Sequence, residues 1–263
     1  MQEIDFYLVD AFSDKTFGGN AAAVCPLEEW LPDETLLKMA QQHNQSETAF
    51  FVRTDGGFEL RWFTTLREIN LCGHATLAAS HVIFEYLDYP HTEITFSTRF
   101  VGDLIVKRNG DWLTLNFPAW STEVVDNPPA LLFSSLGIKE AKEVRVGRDY
   151  MVVLENQQQV EALTPDTTAM IPLGKMVCIT APGDQYDFVS RFFCPGEGVP
   201  EDPVTGSTHS MLIPYWREVL GKTHLNARQV SYRGGDLRCE LQGDRVLIGG
   251  QATLYLKGKI FLR

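Results

Sequence analysis

Short apolar stretches separated by polar turns run along most of the chain, a pattern typical of a protein built from many short strands. In the first part the pattern predicts strands at residues 6–9, 48–52, 58–63, 93–97, 102–107 and 112–117. In the second part it predicts strands at residues 144–146, 151–154, 177–180, 187–193, 230–232, 237–241, 245–248 and 251–257. Between these sets, Pro118 and the loop with Asn127-Pro128-Pro129 form the best candidate for a domain boundary. We therefore expect two β-rich halves of similar size.

Two segments have the composition of helices enclosed by protein. The first runs from about His74 to Leu87 and is small or apolar almost all the way round. The second starts after Ser207 and runs to about Leu220, and Gly221 is its expected C-terminal stop. A further helix is predicted over residues 33–43, directly after Pro32. We expect one enclosed helix in each half.

Both enclosed helices begin at a glycine followed by small polar residues, Gly73 in one and Gly206 in the other. A helix N-terminus offers free N–H groups and the positive end of the helix dipole, so it favours an anion. One such terminus per half predicts that a negatively charged small molecule is held between the halves. Ordinary capping is the alternative, and either terminus taken alone favours it.

Composition narrows the class of protein. The 263 residues are 44% hydrophobic and 22% charged, which excludes a disordered chain. The net charge of −11 argues against binding of nucleic acid through a basic face. No apolar run approaches the roughly 18 residues that a membrane span needs, and the first residues lack the order of a signal peptide. Five scattered cysteines without a CxxC pair argue against disulfides or a zinc knuckle. We expect a cytoplasmic protein with no membrane or nucleic-acid partner.

Glu47 is the first candidate for chemistry. It directly precedes a predicted strand whose two faces both become apolar, so we expect its carboxyl group at the edge of a buried strand. Burial there would raise its pKa and make it a usable general acid or base near neutral pH. The alternative is a local cap at the end of the preceding helix, and this stretch does not decide between the two.

Further polar side chains are weaker candidates when each is taken alone. His74 could donate to a substrate carboxylate or enolate, or be an ordinary polar residue of a first helical turn. Asp202 could orient a substrate or cap the second helix. Ser207 and His209, with Asp202, suggest a hydrolase, but residues two apart on a helix point to different faces and no GxSxG elbow is present. No glycine-rich stretch matches a nucleotide-binding motif. A hydrolase or a nucleotide cofactor is therefore not favoured.

Five short blocks follow one another along nearly the whole chain. They are Asp10-Ala11-Phe12 with Phe17-Gly18-Gly19-Asn20, Ser46-Glu47-Thr48-Ala49-Phe50, Arg61-Trp62-Phe63-Thr64, Leu71-Cys72-Gly73-His74-Ala75-Thr76 and Glu201-Asp202-Pro203-Val204-Thr205-Gly206-Ser207. In this order, the blocks resemble the phenazine-biosynthesis (PhzF-like) isomerase family. One block alone would be suggestive, whereas five in order are highly specific. Thr65 and residues 67–70 depart from the usual family pattern, and none of them is a candidate functional side chain.

The resemblance implies an α+β fold like that of diaminopimelate epimerase. Such a fold has two pseudo-symmetric domains, each a curved mixed β-sheet wrapped around a central helix, with the active site in the cleft between them. It also implies a homodimer. We place the domains at residues 1–118 and 119–263, with the last strand a candidate to pack back on the first half.

By motif, the resemblance implies that Glu47 is the acid/base and that His74 and Asp202 hold the substrate beside it. It implies further substrate contacts from Asn20, Gly73, Gly206 and Ser207. The expected function is isomerisation of a small carboxylated, anionic metabolite, in which a single glutamate moves a proton without metal or cofactor.

Two alternatives stay open. The first is an epimerase or racemase of an amino-acid-like substrate. Cys72 could be one of its two thiols, although the second helix opens with Thr205-Gly206-Ser207 and offers no partner thiol. The second alternative is a non-catalytic protein that keeps the pocket to bind a metabolite or serves as a scaffold.

Overall fold

The computed structural model describes residues 1–263, which form six α-helices and eighteen strands. The strands are β1 (Gln2–Ala11), β2 (Asn20–Leu27), β3 (Thr48–Thr54), β4 (Gly57–Phe63), β5 (Glu68–Ile69), β6 (Glu93–Thr98), β7 (Leu104–Asn109), β8 (Trp112–Pro118), β9 (Glu123–Val124), β10 (Glu143–Val146), β11 (Tyr150–Val153), β12 (Val177–Pro182), β13 (Phe188–Cys194), β14 (Val199–Asp202), β15 (His224–Gln229), β16 (Gly235–Gln242), β17 (Arg245–Gly250) and β18 (Ala252–Leu262). The helices are α1 (Asp33–His43), α2 (Gly73–Tyr86), α3 (Ala130–Leu136), α4 (Gln157–Ala162), α5 (Thr167–Met170) and α6 (His209–Leu220). No helix is both long and apolar enough to cross a membrane.

The chain divides into two compact units. The first unit comprises residues 1–117 and 248–263, and the second comprises residues 118–247. In the first unit a mixed sheet runs in the order β18-β1-β2-β3-β4-β6-β7-β8, in which the pairs β2–β3 and β4–β6 are parallel. In the second unit a mixed sheet runs in the order β9-β10-β11-β12-β13-β15-β16, in which β11–β12 and β13–β15 are parallel.

The two sheets share one topology. Strands β1-β2-β3-β4-β6-β7 pair antiparallel, parallel, antiparallel, parallel and antiparallel, and strands β10-β11-β12-β13-β15-β16 repeat that order. A parallel pair needs a long crossover between its strands. In each unit a long helix lies in the second crossover, α2 between β4 and β6 and α6 between β13 and β15. The expected α+β class with pseudo-symmetric halves is confirmed.

Helix α2 is enclosed as expected. All of its residues except His81, Glu85 and Tyr86 are buried, and it contacts β1, β2, β3 and β18. Its many small side chains let these strands approach the helix closely. Helix α6 is enclosed over its first half, where residues 209–213 are all buried, whereas residues 217–219 near its end are exposed. The expected enclosure therefore holds for α2 and for the first half of α6.

One strand prediction was also wrong. The chain at residues 230–232 is a bend, and the strand lies just before it at β15. Ser231 makes the bend, because its hydroxyl group donates to the Pro203 carbonyl at 2.7 Å and accepts the Gly234 N–H at 3.1 Å. In β15 exposed and buried residues alternate, as they do in a half-buried strand. The strand therefore lies directly before the segment for which it was predicted.

The buried position of Leu77 on α2 gives a test of the first unit. Leu77→Ala should lower the free energy of unfolding by about 2–5 kcal/mol, since truncation of a fully buried leucine leaves a cavity. Urea unfolding followed by tryptophan fluorescence measures the change. The matched control is Leu66→Ala, where 62% of the residue is exposed and a change within about 0.5 kcal/mol is expected. Equal losses in the two variants would contradict the placement of α2.

Candidate active site

A tight loop positions Asn20. The Asp10 carboxylate accepts the Phe17 N–H at 2.8 Å and closes the loop between β1 and β2. Gly19 has a φ of +60°, and a Cβ atom there would lie 2.1 Å from the Ala11 carbonyl oxygen. Only glycine fits such a position. The side chain of Asn20, the first residue of β2, is thereby held in a buried place.

The sheet positions Glu47, which directly precedes β3. The Ala23 N–H donates to the Glu47 carbonyl at 3.3 Å, so the parallel pairing of β2 and β3 continues to this residue. Its side chain is 17% exposed. Asn44, with a left-handed conformation, is the residue that ends α1. Glu47 is therefore placed by the sheet and does not cap the preceding helix.

His74, in the first turn of α2, connects the polar groups of this unit. Its Nε2 atom lies 3.2 Å from Oε2 of Glu47. Its Nδ1 atom lies 3.1 Å from Nδ2 of Asn20 and 3.5 Å from Sγ of Cys72. A carboxamide turned by half a rotation offers its oxygen in place of its N–H groups, so Asn20 can bind either protonation state of the imidazole. The structure thus brings Asn20, Glu47 and His74 together.

The Glu47–His74 contact is an ion pair without an aligned hydrogen bond. Glu47 Oε2 and His74 Nε2 are both buried atoms, and neither has a hydrogen-bond partner of good geometry. Buried polar atoms without a partner are rare in proteins, and a catalytic role is one of the explanations for them. The N–H groups of Gly73 and His74 lie in the first turn of α2 and have no acceptor within the helix, and no side chain caps the helix start. These groups together could receive an anionic ligand.

Both groups of the pair are held in their charged forms. Burial opposes ionisation of Glu47, but the positive charge of His74 and the polar contacts with His74, Ser46 and Cys72 outweigh burial and lower its pKa. Burial also opposes protonation of His74, yet its contacts with Cys72 and Glu47 hold its pKa well above the ordinary value. The expectation of a raised pKa for Glu47 was wrong, because it considered burial without the charged partner.

Cys72 remains a thiol in this setting. Burial raises its pKa, and the negative charge of Glu47 raises the pKa further. The donor atoms of Glu47, Cys72 and His74 lie within 4.8 Å of one another, close enough to suggest a metal site. However, Glu47 faces Nε2 and Cys72 faces Nδ1, on opposite edges of the ring, so one ion would reach all three only after the imidazole turned. The expectation that no metal or cofactor takes part stays a prediction.

In the second unit a buried glutamine supports the turn before α6. Asp202, the last residue of β14, accepts the Thr205 hydroxyl at 2.5 Å through Oδ2. Gln229 donates to the Asp202 carbonyl at 2.6 Å and accepts the Thr205 N–H at 2.8 Å. Gln229 is fully buried, so these bonds have no competition from water. No sequence motif indicated Gln229.

Gly206 and Ser207 lie in a tight turn that leads into α6. The N–H groups of His209 and Ser210 donate to the carbonyls of Gly206 and Ser207, both at 3.1 Å. The Ser207 hydroxyl accepts a bond from Arg148 at 2.9 Å. His209 donates from Nδ1 to the Thr205 carbonyl at 2.8 Å, and burial lowers its pKa to about 4. Ser207 and His209 thus have separate partners, as expected when the hydrolase reading was set aside.

The comparisons with known proteins agree with this fold. The sequence profile of a family described as phenazine biosynthesis-like protein, PhzC-PhzF, matches residues 9–258. The chain belongs to this family. It is 47% identical to an uncharacterized isomerase of Pseudomonas aeruginosa, across 99% of this chain and 100% of that protein. Relatives in the family are named isomerases, and the chain is a PhzF-like isomerase.

Solved structures show the same architecture. A crystal structure of a PhzF family protein from Enterococcus faecalis matches with a TM-score of 0.95 and 42% identity, across 99% of this chain and 100% of that one. A hydroxyproline epimerase from Agrobacterium vitis matches with a TM-score of 0.62 and 10% identity, across 99% of this chain and 91% of that one. The second likeness concerns the fold alone, and it confirms that the fold is epimerase-like.

The charge state of His74 is testable by NMR. In protein with ¹⁵N-labelled histidine, the His74 ring should stay protonated at pH 7, because its pKa is held well above 6.5. Glu47→Gln should lower this pKa, since burial disfavours the protonated ring and the negative charge of Glu47 no longer opposes that effect. His209 is the internal control and should be neutral at pH 7 in both proteins.

The sign of the accompanying stability change follows from linkage. A raised histidine pKa stabilises the fold below about pH 6.5, and that contribution is lost as the pH rises through the folded-state value. A lowered glutamate pKa stabilises the fold above about pH 4.5, and that contribution is lost as the pH falls through its folded-state value. A neutral His74 ring at pH 7 in the unmodified protein would contradict the ion pair.

Proposed function

We propose that this isomerase moves a proton between two carbon atoms of a small carboxylated metabolite, with Glu47 as the single acid/base and without metal or cofactor. The observation that carries the proposal is the largely buried Glu47 carboxylate paired with a buried imidazolium beside an uncapped helix start. Stability alone does not call for such a pair, because well-packed apolar side chains of similar volume often stabilise a fold equally well.

The proposed reaction needs only the substrate and one side chain, because the proton that is removed is also the proton that is returned. Glu47 accepts a proton as a C–H bond breaks, and the electron pair of that bond spreads into the unsaturated, carboxylated substrate. Glu47 then returns the proton to another carbon, so that the enzyme ends in its starting state. The positive charge of His74 and the N–H groups of Gly73 and His74 stabilise the negative charge that develops between these steps.

The low pKa of Glu47 restricts the substrate. A carboxylate with a lowered pKa is a weak base, so it removes only a proton from carbon that is already acidified. Conjugation to a carbonyl or a diene supplies that acidity. Once protonated beside an imidazolium, Glu47 is a strong acid and returns the proton readily. A polar unsaturated acid therefore fits this site better than a simple aliphatic one.

The second unit contributes substrate contacts in this proposal. We assign Asp202, Gly206 and Ser207 to binding of the polar groups of the substrate, on the strength of their motif and of the turn that Gln229 holds in place. We also assign the protein to the cytoplasm, since all five cysteines are free and buried. A homodimer is the assembly proposed from the family, and light scattering on the purified protein tests it.

Deuterium exchange tests the assignment of Glu47. In D2O, the protein should introduce deuterium into at least one member of a panel of small unsaturated carboxylates, as measured by mass spectrometry. Glu47→Gln should slow this exchange by about 100-fold or more, the usual contribution of a general base. Glu34→Gln on the exposed face of α1 is the matched control and should exchange at the unmodified rate.

Exchange that is unchanged in Glu47→Gln would eliminate this residue as the base. Absence of exchange across the whole panel would favour the metabolite-binding alternative. In either case the fold of the variant is checked by its thermal unfolding, so a loss of activity through unfolding is recognised.

Stereoinversion with Cys72 as a second acid is the rival reaction. It is favoured by one observation, the approach of the Cys72 thiol to within 3.5 Å of the His74 ring. Cys72→Ala separates the two. One-base isomerisation predicts that the rate of deuterium exchange stays within about tenfold of the unmodified rate, because Cys72 then only adjusts the pKa values of its neighbours. Stereoinversion predicts loss of product of inverted configuration, as measured by chiral chromatography, while deuterium exchange on one face remains.

A further inference from the structure

Arg148, in the loop between β10 and β11, is held rigidly on one side. Its Nε and Nη2 atoms donate to the Asp149 carboxylate at 2.9 and 2.5 Å, and that carboxylate is completely buried. The guanidinium group also lies over the ring of Trp120, with its central carbon 4.8 Å from the ring centre. A fork-like pairing and a stacked ring fix both the position and the plane of the guanidinium.

The other side of the guanidinium is directed to the start of α6. Nη1 donates to the Ser207 hydroxyl at 2.9 Å, in the turn from which α6 begins. A guanidinium group carries five N–H bonds. Asp149 takes one from Nε and one from Nη2, and Ser207 takes one from Nη1, which leaves one N–H bond on each Nη atom. The Arg148 side chain is 32% exposed, so it is not closed off from solvent.

The local charge favours an anion. Asp149 neutralises Arg148, but the Lys175 ammonium group is attached to the same loop through the carbonyls of Gly147 and Arg148, at 3.0 and 3.1 Å. The loop therefore has a net positive charge in a chain whose overall charge is −11. The positive end of the α6 dipole adds to this field. The remaining N–H bonds of this planar, fixed cation can be donated to a carboxylate.

We propose that Arg148 is a specificity residue that binds a carboxylate group of the substrate together with Ser207. The assignment of that anion as the substrate rests on the proposed function, whereas the carboxylate site itself does not. A purely structural Arg148 would only neutralise Asp149 and tie down Ser207. Such a role affects stability but gives the protein no preference for a charged ligand over a neutral one of the same shape.

The test compares two probes of equal shape, 4-fluorobenzoate and 4-fluorobenzamide. Binding is measured without turnover, by fluorine NMR and by the shift of the Trp120 indole N–H signal, which Trp120→Phe assigns. The unmodified protein should bind the acid about 10-fold or more tightly than the amide and shift the Trp120 signal. Arg148→Gln should weaken binding of the acid about 10- to 100-fold and leave binding of the amide unchanged.

The matched control is Arg217→Gln at the far end of α6, which removes the same charge and should bind both probes like the unmodified protein. Arg148→Lys keeps the charge but loses the fork-like pairing, so its binding of the acid should fall by an intermediate amount. This variant replaces Arg148→Gln if the latter does not fold. Equal binding of the acid by Arg148→Gln and the unmodified protein, or no preference for the acid in the unmodified protein, would overturn the proposal. Because no reaction is followed, a failure of Glu47 as the base leaves this result intact.

Discussion

The interaction on which the site depends is the ion pair between Glu47 and His74. Two charges taken out of water lose hydration, and here the contacts between the two groups and their neighbours outweigh that loss, because the pKa of Glu47 is lowered and that of His74 is raised. The pair persists because the surrounding structure leaves neither group an alternative: the β2–β3 pairing fixes Glu47, and the start of α2 fixes His74. Removal of one partner would leave an uncompensated buried charge. The pair therefore couples the register of two strands to the position of a helix.

That coupling explains the order of the first unit. The loop with Gly19 must place Asn20 against Nδ1 of His74, while β3 must place Glu47 against Nε2 of the same ring. The two nitrogen atoms of one imidazole ring thus contact side chains from two other chain segments, so both contacts depend on the relative positions of all three segments. A shift of either strand by one residue would point its polar side chain to the opposite face of the sheet. Gly19 adopts its left-handed conformation without strain, and the loop that it allows secures one of these contacts.

Much of this arrangement could be predicted from the sequence, and the failures have physical causes. Alternation and composition located α2 within one residue at each end and located most strands, because these signals are local. The motif blocks indicated Glu47, His74 and Asn20. The direction of the Glu47 pKa shift was missed, because it depends on a histidine that is distant in the sequence. Gln229 and Arg148 were missed because their importance comes from contacts with the turn before α6, which no pattern within their own segments of the sequence reveals.

The shared topology of the two units makes their difference in chemistry informative. In each unit the same crossover brings a glycine to the turn where the long helix begins, Gly73 in one and Gly206 in the other. The residues around these glycines have diverged: a thiol and an imidazolium flank Gly73, whereas neutral hydroxyl groups flank Gly206. Inversion by two equivalent bases would call for similar acids at both positions. The Thr205 hydroxyl is instead bound to Asp202, and the Ser207 hydroxyl is bound to Arg148. This asymmetry argues against inversion by two equivalent bases.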